Sequence, residues 1–403
     1  MASGPHSDVL TIPTEADRPA LYRSVSLAFG GTMEGVDDWV STMGLQSQRV
    51  LRGESGGVGA SLVRIEMGQY WGGRSVPMLG IAGVAVAPES RGRGAAKRMM
   101  RALVREAHAE GWATSALFAS THSLYRAVGY EHAGSRFEFT LPLSRIDVRE
   151  RAGEVVALGE QDMERVKACY GRVAVRHNGH LDRGAYIWNR IRKRWGVEYH
   201  AFGVLAEGSR AEDAGAPLAG YVFLAQQRRP TGRFDVEVND LVFDTPSSGR
   251  RLLCFLADFE MMGYDCTLYG GPMHPALTLL GQHRYEARFK DYWLVRLTHL
   301  ENAIARRGYA ECVDAEIHLR IEDDVVEQHH GDWVLRVKGG QGEVTRGGRG
   351  EVRLSARAFA SIYAGFTSFS QARALGWCDG NDAVIARAEG VFAGTHPWMT
   401  EMF

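Results

Sequence analysis

The 403-residue chain is short of the features that mark several large classes of protein. No run approaches 18 apolar residues, so no segment reads as a membrane-spanning helix. The opening residues, Met-Ala-Ser-Gly-Pro-His-Ser-Asp, are polar and lack the apolar core of a secretory signal. Net charge is nearly absent. Lys and Arg number 47 against 48 Asp and Glu, a balance of −1, which argues against general affinity for nucleic acid or an anionic membrane. Cysteine is scarce: Cys169, Cys254, Cys266, Cys312 and Cys378 are odd in number, scattered, and form no Cys-x-x-Cys. They read as reduced, buried residues of a cytoplasmic protein, not as disulfides or a zinc site. The one adjacent histidine pair, His329-His330, sits among Glu327, Gly331 and Asp332 and reads as a turn, so no metal is expected. What is present is an apolar fraction of 45%, ample for the cores of a globular, enzyme-like chain, and a length that suggests roughly two to four domains.

One stretch, Gly83 to Tyr130, organises the rest. Gly80 to Val86 is a short apolar run with β-branched residues and predicts a buried strand, which Pro88 ends. Arg91-Gly92-Arg93-Gly94-Ala95 predicts a tight turn. It feeds a helix from about Ala96 to Glu110, with Met99, Met100, Leu103, Val104 and Ala107 on one face. Glycines let backbone N–H groups approach an anion, a helix N-terminus adds partial positive charge, and the arginines add full charge. Strand, turn and helix make a pyrophosphate cradle. It is neither Gly-x-Gly-x-x-Gly with a following acid nor a P-loop with Gly-Lys-Ser/Thr.

Around this stretch the sequence predicts helices from about Ala16 to Phe29 and Val36 to Met43, with Gly30 to Glu34 as the loop between them. Asp37 and Asp38 read as solvated; Glu34, in the loop, is the better residue to face a cation. Strands are predicted at Arg49–Arg52, Val58–Glu66, Val76–Val86, Ser115–Phe118 and from Phe137, after a polar tail and a first strand within residues 1–12. From Val148 the pattern starts again. Val236-Glu-Val-Asn-Asp-Leu-Val-Phe-Asp-Thr-Pro-Ser-Ser-Gly-Arg-Arg echoes the strand, proline turn and helix, but keeps only Gly249 of the glycines. It reads as a duplicated unit without its anion site. From about residue 296 strands near Glu316–Glu322, Trp333–Lys338 and Glu351–Ser355 precede helices at Ala356–Tyr363 and Ser370–Leu375, with hairpin turns across Gly339–Gly350. That order suggests a lipid-carrier-like α+β domain.

Val-Ala-Val-Ala-Pro-Glu-Ser-Arg91-Gly-Arg-Gly94-Ala-Ala96 resembles the acetyl-CoA signature of the GCN5-related N-acetyltransferases, Arg/Gln-x-x-Gly-x-Gly/Ala. Ser-Leu-Tyr125-Arg-Ala-Val-Gly-Tyr resembles that family's second signature, a tyrosine just before a Gly-Tyr/Phe hairpin. Trp293 to Tyr309 and the terminal Phe403 extend the likeness over essentially the whole chain, to the Eis (enhanced intracellular survival) acetyltransferases. The resemblance implies an α/β and α+β chain of three parts. These are an acetyl-CoA-binding acetyltransferase domain at 1–145, a degenerate second one at 146–295 and a sterol carrier protein-like domain at 296–403. It implies acetyl-CoA held by Val84, Ala85, Val86, Arg91, Gly92, Arg93, Gly94, Ala95, Ala96 and Ser120. It implies Tyr125 as general acid and the Phe403 carboxylate as base. Phe29, Glu34, Trp39 and Glu401 are the candidates to face a small-molecule amine. A homohexamer is implied as well. Two places depart from aminoglycoside-acetylating relatives. Gly30-Gly31 follow Phe29 where those have an acid, and Met402 precedes Phe403, leaving Glu34 and Glu401 out of register.

The residues carry the chemistry on their own terms. Acetyl transfer to an amine needs the thioester fixed beside the nucleophile, a donor for the carbonyl oxygen, a proton for the thiolate and a base for the ammonium. The Arg/Gly turn, a backbone N–H near Val84 to Val86, a phenol of pKa about 10 and a carboxylate in the cleft meet these needs without an acyl-enzyme. His122 is an alternative base. The rival reading is a lipid- or small-ligand-binding sensor that uses the acetyltransferase domains as scaffold. The acceptor stays open among aminoglycosides, polyamines, peptide lysines and other amines.

Overall fold

A computed structural model describes residues 8–53, 56–213 and 215–403, the side chains of Met33 and Glu34 excepted. The chain divides into two compact units. One joins the residues up to Ala133 with Trp293–Gly394 and Phe403; the other is Gly134–Tyr292 with Thr395–Met402. The first stretch of the chain and the part expected to be lipid-carrier-like therefore share a unit.

The first unit opens with α1 (Arg18–Phe29), α2 (Met33–Met43), β1 (Gln48–Arg52), β2 (Val58–Trp71), β3 (Arg74–Val86), α3 (Ala95–Ala109), β4 (Thr114–Phe118) and α4 (His122–Arg126), and leaves along β5 (Glu131–Pro142). Before α1, the expected first strand is a single bridge from Thr11 to Val50. Strands β2 and β3 are longer than their apolar runs suggest. Gln69 breaks the run, yet it is buried like Met67 and Trp71, so the strand continues. The hairpin closes at Gly72-Gly73, both with positive φ (57° and 82°), the geometry a two-residue turn requires. Helix α3 crosses over from β3 to the parallel β4 and buries Ala95, Met99, Met100, Leu103, Val104 and Ala107. Helix α2 starts three residues before its expected place. The Thr32 hydroxyl accepts from Gly35 N at 3.1 Å, which caps a first turn containing Glu34. Glu34 is thus helical rather than in a loop.

The second unit continues with β6 (Val155–Leu158), α5 (Met163–Ala174), β7 (Leu181–Asp182), α6 (Ala185–Arg192), β8 (Lys193–Arg194), β9 (Val197–Glu198), β10 (His200–Leu205), β11 (Leu218–Arg228), β12 (Phe234–Phe243), α7 (Pro246–Ala257), β13 (Gly263–Gly270) and α8 (Pro275–Thr278). Its sheet runs β5-β13-β12-β11-β10-β6, with β12 and β13 parallel across α7. That repeats β3-α3-β4. The anion cradle is not repeated: Pro246 opens α7 and the Thr245 hydroxyl caps it by accepting from Ser248 N at 3.2 Å. After β13, the Trp398 indole lies against Gly271, where a β-carbon would come within 2.3 Å of it. The same unit buries Arg183 between Asp240 (2.6 Å) and Glu401 (2.5 Å), with its guanidinium 3.6 Å over the Tyr170 ring. Arg183→Met would leave two buried carboxylates without their shared ion-pair partner. It should destabilise the fold by roughly 3–5 kcal/mol, read as a lower urea midpoint; an unchanged midpoint would show that the pair is not a net support.

Strand β14 (Glu286–Leu297) returns to the first unit at Trp293 and pairs there with β4. Then follow α9 (Leu300–Arg306), β15 (Ala315–Glu322), β16 (Gly331–Lys338), β17 (Gln341–Arg346), β18 (Val352–Ser355), α10 (Ala356–Ala364), α11 (Phe369–Ala374), β19 (Cys378–Asp379) and α12 (Asp382–Ala388). Their sheet is ordered β17-β16-β15-β18-β19. The glycine run is not all turn: Gly339-Gly340 close a hairpin, β17 follows, and Gly347 to Gly350 come after it. The small cavity among Leu297, Leu300, Ile321, His329, Ala356 and Phe359 has a volume of about 10 Å³. Four cysteines are buried as expected, but Cys312 is exposed. No helix among the described residues is long and apolar enough to cross a membrane.

Candidate active site

Strands β3 and β4 pair in parallel from Met78↔Thr114 to Ile81↔Leu117 and then part. β3 alone runs on to Val86. Against β2 its register slips between Ser61 and Val63, so β3 bulges, and Gly83 takes φ +60° within the bulge. The parting frees the β4-facing edge of Val84, Ala85 and Val86. Glycine is needed at position 83 for space as well as for φ, because a β-carbon there would lie 2.2 Å from the Trp39 ring. Trp39 is half-buried in a cluster with Val25, Val36, Val40 and Ala85, which brings α2 onto the parted strand.

Beyond β3 the turn runs through Arg91, Gly92, Arg93 and Gly94, all exposed. Arg91 folds back so that its Nε donates to Val86 O at 3.2 Å. Gly92 and Gly94 have φ of 74° and 72°, and a β-carbon at either would meet nothing within 4 Å. Gly94 is the N-cap of the 15-residue α3, and no side chain caps it. The first N–H groups of α3, at Ala95 and Ala96, therefore have no side-chain cap and follow directly on the exposed Arg/Gly turn. That donor set fits a polyphosphate, and Arg91, Gly92, Arg93, Gly94, Ala95 and Ala96 are the residues that would hold one. Ala95 contributes its backbone only, since its side chain is buried in the core.

Tyr125 is 4% exposed, in the same apolar cluster as Leu79, Ile81 and Leu117 of the two parting strands. Its hydroxyl makes no hydrogen bond among the described residues. Burial pushes the phenol up to about 12. Phe403 reaches the same strands. Its ring lies edge-on to Phe118 of β4 at 5.6 Å, and a β-carbon at Gly80 of β3 would come within 3.0 Å of it. Gly80 pairs with Ala116, one step before the last rung at Ile81 and Leu117, so the ring is seated where the strands part. The terminal carboxylate forms no ion pair among the described residues.

Other candidates lie differently. Ser120 is exposed in the segment between β4 and α4. His122 is half-buried, its Nε2 has no hydrogen-bond partner among the described residues, and its ring meets His132 edge-on at 5.0 Å. Burial lowers His132 to about 4. Phe29 ends α1 with 58% of its surface exposed. Glu401 belongs to the second unit, where Arg183 occupies its carboxylate. The second unit also has a recess of about 570 Å³, lined by Glu160, Asn189, His200 and Phe202 among others, which contains none of the cradle residues. Sequence reasoning passed over Gly80 and Gly83 as site residues. A glycine inside a strand is itself a sign of a bulge or a close neighbour.

The acetyltransferase (GNAT) domain family matches residues 11–133 and a second GNAT domain family matches 179–297, while the sterol carrier protein domain family matches 300–400. No curated protein matches. Among solved structures, a GCN5-related N-acetyltransferase from Anabaena variabilis is 27% identical, over 98% of this chain and 99% of its own, with a TM-score of 0.92. One from Kribbella flavida is also 27% identical, over 98% of each chain, with a TM-score of 0.83. Eis1 from Mycobacterium abscessus is 18% identical and shares the fold over 98% of this chain and 99% of its own, with a TM-score of 0.78. The first GNAT family match spans the cradle and Tyr125, and the sterol carrier protein family match bears out a part of that kind after two acetyltransferase domains. The chain thus carries two GNAT acetyltransferase domains and is an N-acetyltransferase of Eis-like build.

Proposed function

We propose that this protein transfers an acetyl group from acetyl-CoA directly to a primary amine, with both substrates bound at once. The observation that carries the reading is the convergence of an open, glycine-lined cradle, a buried phenol and the chain's terminal residue on two strands that part. Acetyl-CoA, when bound, supplies an acetyl group already activated as a thioester. Everything else falls to the chain. The Arg91–Ala96 turn holds the pyrophosphate, with Ser120 nearby on the cofactor side. The free edge of Val84 to Val86 offers N–H groups to the carbonyl oxygen as charge builds on it. Tyr125, protonated at neutral pH, gives its proton to the departing sulfur. The Phe403 carboxylate takes a proton from the acceptor ammonium. Trp39, with Phe29 and Glu34 on the same helix pair, faces the acceptor, which we place among aminoglycoside-type or polyamine amines. A cytoplasmic homohexamer completes the proposal, and sedimentation velocity reads its assembly state.

The cavity among Leu297, Ile321 and Phe359, at roughly 10 Å³, cannot accept a lipid. Calorimetry tests the donor site. Arg91→Ala should weaken acetyl-CoA binding by removing a charge. Gly94→Asp should weaken it more, by adding a negative side chain at φ +72° where the phosphate would approach. Both variants should keep the fold, because neither side chain enters the core, with Gly94→Asp adding backbone strain at that one residue. Unchanged affinity in both would overturn the cradle assignment, and thiol release with a panel of amines then identifies the acceptor.

A further inference from the structure

Behind Tyr125 stands a set of buried polar groups that the proposed reaction does not use. The turn after α4 is closed by Val128 N and Tyr130 N, which both donate to the Tyr125 carbonyl, at 3.0 and 3.1 Å. It passes through Gly129 at φ +87°. A β-carbon there would lie 2.3 Å from Arg296 Nη1 and 2.7 Å from its Cζ, so the guanidinium packs directly against the turn at Gly129. Arg296 is fully buried, and its Nε and Nη1 have no hydrogen-bond partner among the described residues. Its one ion-pair partner among the described residues is Asp323. Asp323 is fixed in turn: it accepts from Val325 N at 2.9 Å and Val326 N at 3.1 Å, and His329 Nδ1 lies 3.2 Å from its other oxygen. Val325 and Val326 belong to the apolar cluster that holds Tyr125, Val128 and Tyr130. The Tyr130 ring meets the Tyr125 ring edge-on at 6.2 Å, and its hydroxyl is pinned through Ser115 Oγ to Leu79 O, each bond 2.8 Å.

We propose that Arg296 and Asp323 are positioning residues for Tyr125: Asp323 fixes the Arg296 guanidinium under Gly129, and the guanidinium fixes the turn that aims the phenol. The inference rests on the reading of Tyr125 as the general acid. Its physical basis is that a buried guanidinium with one counter-charge goes where that charge is, and that Gly129 leaves it no slack. A close-packed interior transmits such a displacement rather than absorbing it. Asp323, Val325 and Val326 all come from the sterol carrier protein-like part of the chain. That part therefore serves the acetyl transfer as the backing of its acid.

A double-mutant cycle tests this. Asp323→Asn in the wild-type background should lower kcat by roughly 10–100-fold, the scale of a sub-ångström to 1 Å misplacement, with KM for acetyl-CoA unchanged. In a Tyr125→Phe background it should lower kcat no further, because the group being aimed is already gone. Equal fold-losses in both backgrounds, or no loss in the wild type, would overturn the proposal. Should Asp323→Asn unfold the chain, Val326→Ala runs the same cycle with the ion pair kept. A smaller loss confined to the Tyr125 background is expected, and equal losses in both would again overturn it. A Tyr125→Phe enzyme with unchanged kcat is a different outcome: it removes the acid assignment itself, and this inference with it.

Discussion

Tyr125→Phe should lower kcat by roughly 10²–10⁴-fold, the range for loss of a positioned proton donor, and leave acetyl-CoA affinity as it was. The phenol hydroxyl makes no hydrogen bond among the described residues, so its removal breaks no internal contact; the ring, which does the packing, stays. Burial has a second consequence. It pushes the phenol up to about 12, so the protonated, donating form persists well above the usual phenol range. The alkaline limb of kcat, measured where chemistry limits the rate, should fall toward pH 12 and not near 10. A Tyr125→Phe enzyme that turns over at a near-native rate in single-turnover experiments would make Tyr125 a packing residue only.

What the sequence made legible depended on how local each feature is. The cradle is contiguous: Pro88, the glycines at 92 and 94, the arginines and the apolar face of α3 are all read from one run. Tyr125 is read the same way, from its distance to Gly129-Tyr130. The internal repeat shows in the echo of strand, proline and helix at Val236–Arg251. The sterol carrier protein-like part shows in its order of strands and helices. Contacts between distant segments were not legible. Gly80 and Gly83 hint at neighbours, but nothing local says that these are Phe403 and Trp39. Glu401 looked like a spare acid near the chain end, yet its partner is Arg183, 218 residues away. Glu34 is a different kind of miss. Thr32 was a readable N-cap, and its side chain starts α2 before the residues that Val36 suggested.

The chain end carries the other large effect. Adding one glycine after Phe403 should abolish acetyl transfer while acetyl-CoA still binds. Such an end is not a frayed tail: Phe403 is half-buried, with its ring against Phe118 and Gly80, and within the second unit Trp398 and Met399 are buried. With the ring anchored, the α-carboxylate has little freedom, and it is ionised at neutral pH. It forms no ion pair among the described residues. One added residue keeps the ring but turns the carboxylate into a peptide carbonyl, a poor proton acceptor, and moves the charge about 3.5 Å along the chain. A semisynthetic enzyme ending in Phe403 amide separates the two effects, since it removes the charge without adding length. If both proteins lose turnover but keep acetyl-CoA affinity, the base is the terminal carboxylate. Full activity in the amide would pass that role to His122, and His122→Gln would then be the variant that stops the reaction.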